Sequence, residues 1–245
     1  MSFHVEYDAY LERVREQADA LRAAAVKAGP VAEVPTVPDW NVQRLVRHIA
    51  RVHNWVVLSL DPEPGGTPPK AERPPEDWES LLGYWDDQVD TLVDSMRERG
   101  PDAPAWTFGT TVGTTGWWAR RQAHETSIHR LDAEHAAHGD AVDHLVFDPE
   151  FAADGIDEAL TFMITHRPAD ASGTVLYHAA DAGRAWLVTA KAGEPPRGVP
   201  ELNSGLDADA SVVGTADAVY RAVWRRPSHA VVSGDRALVA GINIP

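Results

Sequence analysis

Two residues one helical turn apart, Glu125 and His129, carry the chemistry this sequence offers most clearly. A carboxylate and an imidazole at i and i+4 of a helix reach the same point in space, and the pair suits zinc and neighbouring divalent metals. The stretch around them, residues 116–134, reads as one long helix without proline, entered from Gly113-Thr-Thr-Gly116. Trp118, Arg121, Glu125, His129 and Asp132 fall on one of its faces. Charges gathered on one face must be paired, hydrated or bound to metal. Spacing alone does not make a site, because Glu134/His138 and Asp140/His144 repeat it where the helix is expected to end. Those two pairs read as surface polar residues. His124-Glu-Thr-Ser-Ile-His129 imitates the metalloprotease HExxH with one residue too many. Histidines five apart stand about 140° apart around a helix and do not share a metal, which excludes a protease.

A third ligand has to come from another element. Residues 40–60 form a helix with the stripe Val42, Leu45, Ile49, Val52 and Val56, and Asp39 is placed to cap it. His48 lies on one shoulder of the stripe, on the side of Arg44 and Trp55, and His53 lies on the other. Periodicity does not choose between them; it makes His53 the more buried. Helices over 6–28 and 76–99 complete four of comparable length, the signature of a four-helix bundle. The irregular links 61–75 and 100–115 are long and permit a topology other than up-down-up-down.

Beyond Asp148 the texture changes. A helix over 149–166 is followed by strands over 174–178 and 184–190 around an Asp181-Ala-Gly183 turn, and by a strand over 209–214. A helix over 216–226 and strands over 229–232 and 236–239 finish the chain. The reading is α+β, mainly α: a bundle over 1–142 and a small α+β domain over 148–245.

Composition limits the partners. The 245 residues carry 22 Lys+Arg against 37 Asp+Glu, a formal charge of −15 without a long basic block, so nucleic acid and anionic membrane are poor partners. No apolar run is long enough to span a bilayer and no signal core opens the chain, so a cytoplasmic protein is expected. Zero Cys excludes thiolate ligands and a Cys nucleophile, and leaves any thiol chemistry to a thiol supplied by the substrate.

Val37-Pro-Asp-Trp-Asn-Val-Gln-Arg-Leu-Val-Arg-His48 and Trp118-Ala-Arg-Arg-Gln-Ala-His-Glu-Thr-Ser-Ile-His-Arg-Leu-Asp132 together resemble the mycothiol-dependent maleylpyruvate isomerase family. That family belongs to the DinB-like metal-binding four-helix bundles, and the C-terminal part of this chain is similar to the sterol carrier protein-like domain that often follows the bundle. The resemblance implies a divalent metal, usually zinc, on His48, Glu125 and His129, and so selects His48 over His53. It implies mycothiol as cosubstrate, activated as a thiolate for addition to an electrophilic small molecule, in isomerisation or in net S-transfer. On this reading Arg121 grips a carboxylate of thiol or substrate, and Asp132 orients His129. Arg226, in the Trp-x-Arg motif Trp224-Arg-Arg226, is a cofactor-cleft residue, and the protein is a monomer or homodimer. The alternative is a metal- or small-ligand-binding protein on the same scaffold without turnover.

Overall fold

The computed structural model describes residues 6–61, 67, 69–108, 113–142, 147–201 and 206–244. The chain divides into two compact units, Glu6–His144 and Leu145–Pro245.

The first unit is built from α1 (Tyr7–Ala28), α2 (Val42–Ser59), α3 (Trp78–Arg99), the short pair β1 (Pro104–Ala105) and β2 (Gly113–Thr114), and α4 (Thr115–His138). α1 packs along α4 and α2 along α3, with α1 against α3 and α2 against α4 closing the ring. The order around the bundle is therefore α1, α4, α2, α3, which makes the second and fourth helices neighbours. Leu21, Leu45, Ile49, Leu81, Trp85 and Ala133 fill the centre, all buried. Each of the large apolar side chains contributes roughly 1.5–3 kcal/mol by leaving water.

Helix ends follow local chemistry. Asp77 and Thr114 cap α3 and α4 by accepting from the Ser80 and Trp117 amides. The cap of α2 differs from expectation: Asn41, not Asp39, accepts from the Arg44 amide. Asp39 takes a left-handed φ of 67°, which turns the chain two residues early and passes the capping position to Asn41. α4 continues past Glu134 to His138, four residues beyond the expected end.

An aromatic box sets the register of α2 on α4. Trp55 meets Trp118 edge to face, with ring centroids 5.4 Å apart. The Trp118 indole donates to the Trp106 carbonyl at 2.6 Å, and the Trp106 amide donates to Ser59 at the end of α2. Such pairs add about 0.5–1.5 kcal/mol each beyond area burial.

The second unit holds α5 (Pro149–Thr161), β3 (Gly173–Ala179), β4 (Arg184–Ala190), β5 (Arg197–Glu201), β6 (Ala210–Gly214), α6 (Ala216–Val223), β7 (Val231–Gly234) and α7 (Arg236–Ala240). Its five strands run in the order β5-β4-β3-β6-β7, with β3 and β6 parallel and the other pairs antiparallel. The expected strand over 236–239 is instead α7, because Asp235 caps it by accepting from the Ala237 and Leu238 amides. β5 was not expected; its Gly198 and Pro200 weaken a strand signal. α5 ends at Thr161, and a separate 3-10 turn covers Met163–His166. α6 stops at Val223, short of the expected 226.

Gly198 explains its own presence. A Cβ there would sit 1.9 Å from the Leu160 carbonyl oxygen at the end of α5. Gly198→Ala is expected to cost about 1–3 kcal/mol in urea unfolding. Gly83, inside α3, has nothing within 4 Å of the same position, so Gly83→Ala is expected to add roughly 0.5–1 kcal/mol. Equal effects at the two positions would contradict the packing described.

Candidate metal centre

α2 supplies His48 and α4 supplies Glu125 and His129, and one donor atom from each lies within 4.8 Å of the others. His48 Nε2 and His129 Nε2 both stand 3.3 Å from Glu125 Oε1. The imidazoles meet edge to face with centroids 4.8 Å apart. Trp40, just before α2, stacks on His129 at 6.1 Å and tilts against His48 at 5.0 Å.

Partners behind these three fix them. Glu125 Oε2 accepts from Arg121 Nη2 at 2.7 Å. Arg121 is only 3% exposed, and its guanidinium pairs with Glu125 from the same helix. His129 Nδ1 lies 2.8 Å from Asp132 Oδ2, and the other oxygen of that fully buried carboxylate accepts from Thr36 Oγ1 at 2.5 Å. A carboxylate on Nδ1 sets the tautomer and leaves Nε2 to face the cluster. Thr36 belongs to the link between α1 and α2, so that link also orients the centre.

Electrostatics follow from this packing. Burial pushes the Glu125 carboxyl up, but hydrogen bonds from His129 and His48 and the charge of Arg121 outweigh it and hold the carboxyl well below its ordinary range. Burial pushes His129 down, and its bonds to Asp132 and Glu125 outweigh that and raise it to about 9.

His53 does something else. It is fully buried, with Nε2 3.1 Å from Thr126 Oγ1 and Nδ1 accepting from the Trp85 indole at 3.2 Å. Both nitrogens are engaged in the core, so the geometry favours His48 for the cluster. His124 packs edge-on against Tyr10 of α1, a different neighbour from those of His129. Glu134 and His138 pair at 3.3 Å near the end of α4. Asp140 is exposed, and His144 lies outside the described residues. Arg226 belongs to the second unit, where its guanidinium donates to the Trp224 carbonyl at 2.7 Å. Two clefts open at His48: one of about 540 Å³ reaches Trp40 and Arg44, and one of about 370 Å³ reaches Val52 and Trp55.

Two imidazoles, one carboxylate and engaged partners behind each α4 donor form a donor set that fits zinc. Comparison with known proteins agrees with the lineage. Residues 11–134 match the mycothiol maleylpyruvate isomerase N-terminal domain, and residues 150–241 match the MDMPI C-terminal domain. The chain belongs to the mycothiol maleylpyruvate isomerase family. It is thereby a member of an enzyme family. Two solved structures of mycothiol-dependent maleylpyruvate isomerase, the second a histidine-to-alanine mutant, share its fold with TM-scores of 0.64 and 0.66. Their identities are 15% and 14%, and each alignment covers 100% of this chain and 98% of the other. No curated protein matches by sequence. Among the described residues, no helix is long and apolar enough to cross a membrane.

The core role of His53 has a pH signature. Burial lowers its pKa to about 3, while the unfolded chain protonates it near 6.5. Between those values the unfolded state binds the extra proton, so this contribution is complete above about pH 6.5 and is lost as pH falls, by roughly 4 kcal/mol at pH 3. The urea midpoint of the wild type is expected to fall more steeply from about pH 6.5 to about pH 4.5 than that of His53→Gln. Parallel slopes would place a charged or exposed histidine there.

Proposed function

We propose that this protein is a mycothiol-dependent isomerase that converts a cis alkene acid of the maleylpyruvate type to its trans isomer by reversible addition of the thiol. His48, Glu125 and His129 hold a divalent metal, zinc by the character of the donors. The observation that carries this reading is the convergence of those three side chains within 4.8 Å. A divalent metal held by His48, Glu125 and His129 would supply the acidity that keeps a thiol deprotonated at neutral pH.

The chain's own residues do the rest. Arg121 keeps Glu125 ionised and fixes which oxygen faces the histidines. Asp132 holds His129 Nε2 towards the cluster and is itself held by Thr36. Trp40 covers both imidazoles and limits water on that side. The partly open His48, with 36% of its side chain exposed, lies where both clefts begin. A thiol and an electrophile can thus approach the same point from different directions, the arrangement that turns a two-body encounter into a positioned one.

The purified protein is expected to hold about one metal per chain, lost in His48→Ala with circular dichroism unchanged. Asp132→Asn is expected to weaken metal binding about 10–100-fold. With mycothiol and maleylpyruvate, the wild type should form the trans product with the thiol returned, and His48→Ala should be slower by about 10³-fold or more. Stoichiometric thiol consumption would indicate net S-transfer. Metal and thiol binding without any product would assign a binding protein.

A further inference from the structure

The second unit has a cavity of its own. α6 and α7 both pack on β3 and β6, and a space of about 330 Å³ opens where they meet the sheet and the C-terminal segment. It shares no residue with the metal centre or with the clefts at His48. Its walls are apolar, with Val223, Val232, Val239 and Ile242 among them. Its charged groups are Arg225 and Arg236, and no acidic residue lines it.

Three polar groups there are not explained by folding. Tyr177 of β3 is 4% exposed, and among the described residues its hydroxyl has no hydrogen-bond partner. A buried hydroxyl without a partner is destabilising, and such groups are rare unless something else satisfies them. Burial pushes its ionisation up, against the nearby charge of Arg225, so it stays protonated and is a donor at neutral pH. Arg225 has a left-handed φ of 58°. It stands at the residue after the α6 cap, where the Arg225 and Arg226 amides donate to Ala222 and Arg221, a position that favours glycine. An arginine kept in that conformation suggests that its side chain is needed. One nitrogen of it, Nη2, donates to the Ala240 and Ile242 carbonyls and to Asn243 Oδ1 at 2.7, 3.1 and 3.0 Å. These bonds hold the C-terminal segment as a wall of the cavity and leave the positive charge without a carboxylate. Arg236 makes only a 3.5 Å contact with the Val232 carbonyl. Among the described residues, neither arginine is in an ion pair.

We infer that this cavity is a binding site for a small amphipathic monocarboxylate. Its hydrocarbon part lies on the valine and isoleucine walls, and its carboxylate takes the charge of the two arginines and a hydrogen bond from Tyr177. The volume is at the lower end of small-molecule sites, which run from about 300 to 1,000 Å³. Guanidinium forks suit a carboxylate, and the mostly apolar lining calls for a ligand that is more than its charge.

The test is calorimetric titration of the whole protein with sodium octanoate, and in parallel with octan-1-ol and sodium acetate. Octanoate should bind at about one site per chain, and the alcohol and acetate should each bind at least about 10-fold more weakly. Arg236→Gln, at an exposed position, and Tyr177→Phe, which removes only the hydroxyl, should each weaken octanoate about 10-fold, with thermal unfolding of Arg236→Gln unchanged. His48→Ala should leave octanoate affinity as it is. Equal affinity for octanoate and octanol, no saturable binding, or undiminished affinity in both Arg236→Gln and Tyr177→Phe overturns the inference. Loss of binding in His48→Ala alone would also overturn it, by placing the carboxylate at the metal centre.

Discussion

One buried carboxylate organises the bundle's working end. Glu125 sits between two imidazoles and a guanidinium, with only 20% of its side chain exposed. An ionised carboxylate costs several kcal/mol to take out of water, and the protein meets that cost only if every partner stays in place. α4 must therefore lie against α2, so that His48 arrives, and the link before α2 must fold back, so that Thr36 holds Asp132. The order α1, α4, α2, α3 around the bundle satisfies this demand. The Trp55 and Trp118 contact fixes the register at the far end of α2. A shift of one turn along either helix would strand Glu125 without its histidines.

Much of this was legible in the residues, for reasons that differ by element. The long helices declared themselves through apolar spacing in α1, α2 and α3. α4 was legible for the opposite reason: its polar face was too organised to be surface. Its burial was not legible. Arg121, Gln122, Thr126 and Asp132 are all buried because α4 packs against both α1 and α2, and no single-helix pattern reports that. The same blindness hid the pairing of Arg121 with Glu125 one turn along the helix. Thr36 was invisible, since nothing local links it to a residue about a hundred positions away.

The choice between His48 and His53 shows where periodicity stops. Both flank the same stripe, and the pattern correctly made His53 the deeper one. Depth is what removes it from the cluster, since the Trp85 indole and Thr126 engage its two nitrogens. In the second unit the errors concentrate at short elements. α7 depends on one capping aspartate, and β5 tolerates Gly198 and Pro200 because it is an edge strand paired only with β4.

The most direct test of the central claim is X-ray absorption at the zinc edge of loaded protein, before and after mycothiol is added. The account predicts two imidazoles and a carboxylate at about 2.0–2.2 Å, with a sulfur scatterer appearing near 2.3 Å when the thiol is present. Nitrogen and oxygen shells unchanged by the thiol, or both imidazoles retained in His48→Ala, would contradict it.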